Sequence, residues 1–87
     1  MPLVDEFNEA QILVKKLTRM PATTELLDLY ALYKQATVGD VQGKRPGMLD
    51  MKGRAKYDAW ASQKSLSKDD AMTAYVALVA KVRAKYA

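Results

Sequence analysis

The run LYALYKQATVGD, residues 29–40, decides the fold of this chain. With two leucines that precede it, the run places five side chains on one face of a predicted helix, because they recur at three- and four-residue spacing. This mixed face consists of Leu26, Leu27, Tyr30, Tyr33 and Lys34. A second, apolar face, which we expect to point into a core, consists of Leu29, Leu32 and Ala36. Two such faces on one helix suggest a ligand that has an apolar part and an anionic part.

A connection follows in which glycine and proline break any regular structure. The residues that break it are Gly39, Gly43, Pro46 and Gly47. The connection spans about a dozen residues, which is long for a small helical bundle. Since a long connection can cross a bundle, the helices on either side of it need not be antiparallel neighbours.

The N-terminal half of the chain predicts two helices. The first is expected to open at Asp5 or Glu6, which suit the positive end of a helix dipole, and to end at Pro21. Its predicted buried stripe consists of Val4, Phe7, Ala10, Val14 and Leu17. The second is expected to take Thr23 or Thr24 as N-cap and to run to about residue 36 or 37.

The C-terminal half predicts two more helices and no strand. Asp50 is a plausible N-cap for the third, which is expected to run to about Ser62. Gly53 inside that helix indicates the close approach of another backbone or a ligand, since glycine disfavours a helix interior. Ser67 opens the fourth helix, with Asp70 at the position of a capping box. Its predicted apolar stripe consists of Met72, Tyr75, Val76, Val79, Val82 and Tyr86.

Composition limits the classes of function. The chain has 87 residues and contains neither cysteine nor histidine, which excludes disulfides, thiolate or imidazole metal sites and histidine-based acid–base relays. No apolar run is long enough to span a membrane, and the acidic first nine residues do not look like a secretory signal, so we expect a cytoplasmic protein. Between residues 34 and 56 there are six basic and two acidic residues, a balance that favours an anionic partner.

Three blocks of the sequence resemble the acyl-CoA-binding protein family. They are LYALYKQATVGD at residues 29–40, RPGMLDMKGRAKYDAW at 45–60 and SKDDAMTAYV at 67–76. They keep the order and spacing of the family over nearly the whole chain. The resemblance implies a single all-α domain, residues 1–87, folded as an up-down-down-up four-helix bundle with a long crossover loop between helices two and three. It also implies a monomeric, non-enzymatic carrier that binds, buffers and transports medium- and long-chain fatty acyl-CoA.

The same resemblance implies roles for individual side chains. In the family, the residues that match Tyr30, Lys34 and Lys56 hold the 3′-phosphate and adenine end of coenzyme A. The family residue that matches Tyr75 lines the same pocket. The residues expected around that pocket are Lys15, Tyr33 and Lys52. Those expected along the acyl chain are Leu26 and Leu27, and the set of expected ligand-binding residues is completed by Ala31 and Leu32. No catalytic residue, metal, further cofactor or stable membrane anchor is expected.

The sequence departs from the family pattern at two positions. Tyr57 stands where the family commonly has tryptophan, and Ser65 stands where it commonly has glycine. The first departure preserves a ring, and the second bears on the turn between helices three and four more than on the pocket. Trp60, the only tryptophan, is expected in the core, and Asp69 and Asp70 are expected to serve helix capping.

Two other functions remain open from the residues. The sequence pI of about 9.4 and the interleaved tyrosines and lysines are compatible with a nucleic-acid-binding module, although no arginine-rich recognition helix is present. A thioester hydrolase is the other alternative, but without histidine or cysteine a nucleophile would need a base that this chain hardly provides.

Overall fold

The computed structural model of the protein describes residues 2–86 and contains four α-helices. They are α1 (Leu3–Lys15), α2 (Thr23–Thr37), α3 (Met51–Ala61) and α4 (Lys68–Tyr86). Within the described residues there is no β-strand. The prediction of an all-α domain with four helices is therefore confirmed.

Side-chain contacts give the direction of each helix. Glu25, at the start of α2, bonds Tyr86 at the end of α4, whereas Gln35 near the end of α2 bonds the carbonyl oxygen of Leu66 just before α4. These two helices are therefore antiparallel. In contrast, Lys56 lies over Tyr30 and Lys34 lies over Trp60, so that α2 and α3 run in the same direction.

The first and last helices are also parallel. The furrow between them is lined by Glu6 and Val76 near one end and by Leu13 and Arg83 near the other. The order up-down-down-up is thus confirmed, and it follows from the long connection at residues 38–50, which returns the chain to the end from which α2 started. Helix α4 packs on α1 and α2, and α3 packs on α2 alone among the four helices.

The core lies between α1, α2 and α4. Its buried residues are Phe7, Ala10, Leu29, Leu32, Ala36, Ala71, Tyr75 and Val79. The Phe7 ring contacts two tyrosines, with its centroid 5.0 Å from that of Tyr75 at a steep angle and 6.1 Å from that of Tyr33. Because most predicted core positions of α2 and α4 are buried, the helical periodicity placed these two helices correctly.

Helix α1 differs from its prediction at both ends. It begins at Leu3 and ends at Lys15, well before Pro21. The amides of Lys16 and Leu17 donate to carbonyls three residues back, which tightens the last turn and releases the chain toward α2. Val4 was expected in the core but is 53% exposed, since the first turn lies at the end of the bundle and α1 has no contact with α3.

The start of α2 is also one or two residues earlier than predicted. Thr23 and Thr24 already belong to the helix, and the N-cap is Ala22. The backbone N–H of Ala22 donates to Oε1 of Glu25 at 3.0 Å. A glutamate that reaches back in this way supplies half of a capping box without a capping hydroxyl.

The caps of α3 and α4 agree with the sequence. The Asp50 carboxylate accepts from the amide of Gly53 at 3.0 Å, and the Ser67 hydroxyl accepts from the amide of Asp70 at 3.0 Å. The prediction that another backbone or a ligand closely approaches Gly53 was wrong. A Cβ on Gly53 would lie 2.2 Å from Oδ2 of Asp50, so glycine makes room for the capping carboxylate and not for a ligand or another backbone.

Three side chains hold the crossover loop on α3. The Trp60 indole N–H donates to the carbonyl oxygen of Gly39 at 2.8 Å, and the Tyr57 hydroxyl donates to that of Gly43 at 3.1 Å. Arg45 forms two hydrogen bonds with the Asp58 carboxylate, at 2.8 and 2.7 Å. The loop is thus fixed along α3, and Gly39 and Gly43 both have positive φ, which glycine adopts without strain.

Candidate functional site

An apolar cleft separates the N-terminal halves of α2 and α3. Its volume is about 350 Å³, and its lining consists of Thr23, Leu26, Leu27, Tyr30, Lys52, Ala55 and Lys56. The cleft exists because α2 turns its mixed face, not its core face, toward α3, and that mixed face is mostly half-exposed. Small and charged residues on α3 leave the space between the two helices unfilled.

A second hollow lies on the other side of Leu26 and Tyr30. It has a volume of about 370 Å³, and its lining consists of Val14, Lys15, Pro21, Leu26, Leu29, Tyr30, Tyr33 and Tyr75. Because Leu26 and Tyr30 line both spaces, the cleft and the hollow are neighbouring parts of one groove that follows α2. We call the two parts the α2–α3 cleft and the α1–α2 hollow.

Two amines lie along the seam between α2 and α3. The Nζ of Lys56 lies 5.4 Å from the centroid of the Tyr30 ring, and the Nζ of Lys34 lies 5.0 Å from that of Trp60. Each ammonium faces the ring of the opposite helix, an arrangement that attracts the cation to the ring face. Since the two pairs are one helical turn apart, both positive charges lie on the same side of the molecule.

Tyrosines line the α1–α2 hollow. Tyr75 is buried and projects from the core into this space, while Tyr33 is partly exposed at its edge and stacks on Phe7. Burial, with a smaller effect of Tyr33, raises the pKa of the Tyr75 hydroxyl, so the group stays protonated at neutral pH. A protonated phenol at the wall of an apolar space can donate a hydrogen bond to a bound oxygen.

The structure brings most of the predicted site residues to this groove. The cleft or the hollow is lined by Lys15, Leu26, Leu27, Tyr30, Tyr33, Lys52, Lys56 and Tyr75. Lys34 lines neither space, although it lies one turn beyond Tyr30 on the same seam. Ala31 and Leu32 are buried and line neither space, so the structure gives these two no exposed surface in the groove. The roles assigned to all of these residues stay predictions.

Sequence reasoning missed other residues that line the groove. Val14 and Leu29 were predicted as core, yet each also presents an edge to the α1–α2 hollow. Thr23 and Ala55 line the α2–α3 cleft and had been given no role there. For Ala55, the signal was available, since it lies three residues after Lys52 and therefore on the same helix face.

The buried amide of Gln35 was also missed. It is fully buried, and its Nε2 donates to the Asp40 carboxylate and to the carbonyl oxygen of Leu66, each at 2.8 Å. Asp40 in turn accepts from the backbone N–H of Ser65 at 2.8 Å. This network joins α2, the crossover loop and the turn before α4 near the C-terminal end of α2.

The chemistry of the groove is that of binding. Its walls are apolar and aromatic, with amines at their edges, and such sites take ligands that combine an apolar and an anionic part. Within residues 2–86 no group of histidine, cysteine or carboxylate side chains is placed to hold a metal ion. None of the helices described is long and apolar enough to cross a membrane.

Comparison with known proteins supports the resemblance seen in the sequence. The family model for acyl CoA binding protein matches residues 4–79. Acyl-CoA-binding protein homolog 1 of Caenorhabditis elegans is 55% identical over 80 residues, which are 92% of this chain and 93% of the relative. The acyl-CoA-binding protein homolog of Drosophila melanogaster is 48% identical over 83 residues, with 95% and 96% covered.

Solved structures agree with the fold. The crystal structure of Oryza sativa Acyl-CoA-Binding Protein 2 has a TM-score of 0.92 and 39% identity, and covers 97% of this chain and 93% of its own. The solution structure of the acyl coenzyme A binding protein from yeast has a TM-score of 0.72 and 50% identity, with 92% and 93% covered. The nucleic-acid alternative receives no support from these matches.

Proposed function

The chain belongs to the acyl-CoA-binding protein family, and we propose that its groove binds medium- and long-chain fatty acyl-CoA thioesters. The observation that carries this proposal is the contact of Lys56 with Tyr30 at the edge of the α2–α3 cleft. At that point a cation and an aromatic ring adjoin an elongated apolar space. A phosphorylated nucleotide joined to a fatty acyl chain has the matching parts in the matching order.

The acyl chain fits the α2–α3 cleft. Leu26 and Leu27 form its apolar wall on α2, and Ala55 leaves room on α3. Each methylene that leaves water contributes about 0.8 kcal/mol, so a chain of 14 or more carbons supplies on the order of 10 kcal/mol before costs. Association and ordering cost several kcal/mol. The tail therefore sets most of the affinity.

The nucleotide fits the end of the seam where the amines lie. Lys56 and Lys34 would pair with the 3′-phosphate, and the Tyr30 ring offers a face to the adenine. The Lys34 ammonium lies over the Trp60 ring, so it would have to contact the phosphate from that position or move away from the ring. Lys15 and Lys52, at opposite edges of the groove, add positive charge near the remaining phosphates. A charge-assisted hydrogen bond contributes about 1.5–3 kcal/mol, so these contacts orient the ligand more than they hold it.

This function is that of a carrier, without turnover. With no histidine or cysteine in the chain, the thioester meets neither a thiolate nor an imidazole base. We propose that the protein is a monomer in which residues 1–87 form one binding domain. It buffers and transports acyl-CoA in the cytoplasm without a metal or other cofactor. The protein releases the same molecule that it took up.

Titration calorimetry with three ligands tests the proposal. Palmitoyl-CoA is expected to bind far more tightly than free coenzyme A, and palmitate is expected to bind less tightly than palmitoyl-CoA but more tightly than free coenzyme A, because the tail supplies most of the affinity. Equal affinity for palmitoyl-CoA and free coenzyme A would remove the role of the apolar cleft. Mass spectrometry of the bound palmitoyl-CoA after several hours checks that the thioester remains intact.

The seam is tested by removing its amines. Lys56→Ala is expected to weaken palmitoyl-CoA binding by roughly tenfold to a hundredfold, the loss of one charge-assisted contact, and Lys34→Ala by a similar factor. Lys64→Ala, in the turn after α3, is the control and is expected to bind as the unchanged protein does. Normal binding by both seam variants would show that the nucleotide lies elsewhere.

A further inference from the structure

The furrow between α1 and α4 lies outside the groove, and we call it the α1–α4 furrow. It consists of two adjoining hollows, each with a volume of about 290 Å³, which share Leu13 and Arg83. The residues that line it come from α1, from the turn after α1 and from α4. None of them lines the α2–α3 cleft or the α1–α2 hollow. The furrow is therefore a second concave surface, separate from the groove.

The middle of the α1–α4 furrow is apolar. Ala10 and Val79 are buried at its base, Leu13 and Val76 are half-buried along it, and Ala80 is exposed. Because alanine has no side chain beyond Cβ, Ala10 and Ala80 allow another backbone to come close to α1 and α4. An apolar strip that is open to water and is edged by charged residues is typical of a surface that binds a partner.

The two ends of the furrow carry opposite charge. Glu6 and Glu9 line the end where α1 and α4 begin, and Lys16 and Arg83 line the end where the two helices finish. Within residues 2–86, none of these four side chains takes part in an ion pair. The furrow therefore offers one free negative end and one free positive end to a partner, with an apolar strip between them.

Shape and charge together select a helix as the occupant. Two packed helices accept a third when its ridge of side chains fits the furrow between them. Helix α1 has 13 residues, which is about 20 Å at the rise of an α-helix, so a partner helix of about four turns spans the furrow. Such a helix neutralises both ends if its basic residues lie beside Glu6 and Glu9 and its acidic residues beside Lys16 and Arg83.

The orientation of the helix follows from its own dipole. Acidic residues are favourable in the first turn of a helix and basic residues in the last. A helix of this common kind meets the charges of the furrow when it runs antiparallel to α1 and α4. A second copy of this chain could also pair these charges, but two furrows placed face to face would leave their centres unfilled. A single convex helix fills that space.

We propose that the α1–α4 furrow docks an amphipathic helix of a partner protein, with an acidic first turn, a stripe of leucine or alanine and a basic last turn. Helix α1 stands between the furrow and the groove, since Leu13 and Lys16 line the furrow whereas Val14 and Lys15 line the α1–α2 hollow. The docked helix thus leaves the groove open. Resting on the proposed function, a partner that holds the carrier in this way still has access to the acyl-CoA.

Fluorescence anisotropy with a labelled synthetic peptide tests the docking. The probe, EELAQLLAQALQQLKK, has glutamates at its N-terminus, lysines at its C-terminus and leucines at helical spacing between them. A control peptide of the same composition, EKLAQLLAQALQQLEK, carries one glutamate and one lysine at each end. It should bind at least fivefold more weakly, because its ends are neutral. Failure of the probe to bind, or equal binding of the two peptides, would overturn the proposal.

Filling the furrow locates the peptide. Ala80→Trp places an indole ring where the helix would lie and should weaken probe binding by tenfold or more, while the exposed position tolerates the ring. Ala77→Trp adds the same ring at an exposed position of α4 that does not line the furrow, and should bind the probe as the unchanged protein does. Equal binding by both variants would place the peptide elsewhere. Circular dichroism checks that both variants remain folded.

Exchange of charges tests the polarity of the furrow. K16E/R83E makes both ends negative and should weaken probe binding by roughly tenfold. The same variant should bind KKLAQLLAQALQQLKK, a peptide with lysines at both ends, more tightly than the unchanged protein does. K44E/K64E makes the same change in net charge in the crossover loop and in the turn after α3, and should show neither effect. The same loss and gain with K44E/K64E would show that net charge, and not the furrow, attracts the peptides.

Palmitoyl-CoA separates this proposal from the proposed function. Ala80→Trp and K16E/R83E should bind palmitoyl-CoA normally, and saturating palmitoyl-CoA should leave probe binding to the unchanged protein unaltered. Displacement of the probe by palmitoyl-CoA would place the peptide in the groove and overturn the docking. Sedimentation equilibrium should show one protein per probe, whereas a protein dimer that Ala80→Trp dissociates would assign the furrow to a second copy. Loss of palmitoyl-CoA binding with probe binding intact would reject the carrier function alone.

Discussion

The two faces of α2 are built on different principles. The face toward α1 and α4 is closed by apolar burial, with Leu29, Leu32 and Ala36 packed against residues such as Phe7 and Val79. The face toward α3 is half-open, and Trp60 is the buried residue that α3 contributes. On that side, polar bonds between α3 and the crossover loop replace much of the missing apolar contact.

This difference separates stability from binding within one small domain. A cleft that accepts an acyl chain has to lack apolar filling of its own, so the helix beside it must be held in another way. Hydrogen bonds to the carbonyls of Gly39 and Gly43, and the pair of Arg45 with Asp58, fix α3 without closing the cleft. The closed face of α2 should therefore respond to loss of volume, and the open face to loss of polar contacts.

The largest effect is expected on the closed face. Phe7→Ala removes the ring that contacts Tyr33 and Tyr75 and should lower the free energy of unfolding by about 3–5 kcal/mol. Urea denaturation followed by circular dichroism measures this loss. Ile12→Ala, at an exposed position of the same helix, is the control and should change the stability by less than about 0.5 kcal/mol. Similar losses in both variants would contradict an apolar core at Phe7.

A smaller and more local effect is expected on the open face. Trp60→Phe retains a ring under Lys34 but removes the N–H that the Gly39 carbonyl accepts, at a cost of about 1–3 kcal/mol. Hydrogen exchange should show faster exchange in α3 and in the crossover loop, with α1 and α4 little changed. Tyr57→Phe removes a bond to the exposed Gly43 carbonyl and should cost less than about 0.5 kcal/mol. Uniform loss of protection in all helices would show that α3 belongs to the same cooperative unit as the core.

The turn after α3 offers a gain in stability. Ser65 has φ of 79°, a left-handed conformation that costs a residue with a side chain about 1–2 kcal/mol, so the departure from glycine carries a strain. After the greater flexibility of unfolded glycine is counted, Ser65→Gly should stabilise the domain by about 0.5–1 kcal/mol. Ser62→Gly, where φ is −66°, should instead destabilise it. A loss of stability with Ser65→Gly in thermal unfolding would contradict the strain.

These regions also differ in how far the sequence could predict them. Helical periodicity identified α2 and α4, whose core faces repeat over several turns, and the long connection indicated the crossover. Periodicity could not show that α1 ends at Lys15. The hydrogen bonds of its last turn, which go to carbonyls three residues back, do not alter the apolar pattern of the sequence. Nor could it show that Glu25, and not a threonine, would cap α2.

The groove was predicted as a set of residues but not as a shape. Tyr30, Lys56 and their neighbours were predicted as site residues from the spacing along α2 and from the resemblance to the family. The fold brings most of them together. The division of the groove into a cleft and a hollow depends on where Leu26 and Tyr30 stand between α1 and α3, which is a tertiary property. The burial of Gln35 and its bond to Asp40 were likewise invisible, since a glutamine inside a helix usually faces water.

The smallest effect concerns pH and distinguishes the polar attachments from the core. The backbone N–H of Ser65, and then the amide of Gln35, hold the pKa of Asp40 below its ordinary 3.8. A carboxylate with a lowered pKa stabilises the fold above the pKa of the unfolded chain, and this contribution is lost as the pH falls through the folded value. Asp40→Asn keeps the shape but removes the titration, so it should be less stable than the unchanged protein near pH 6.

The difference between the two proteins should begin to shrink near pH 3.8, where Asp40 of the unfolded chain becomes protonated, and should continue to shrink until the folded Asp40, whose pKa is lower, is protonated as well. Urea midpoints measured from pH 6 to pH 2.5 give this difference at each pH. Asp28→Asn is the matched control, since no hydrogen bond within residues 2–86 joins the Asp28 carboxylate to another group, and its midpoints should follow those of the unchanged protein. A difference for Asp40→Asn that persists unaltered at pH 2.5 would mean that the lost charge is not what Asp40 contributes, and the attachment of the crossover loop to α2 and to the turn before α4 would then depend on shape as the closed face does.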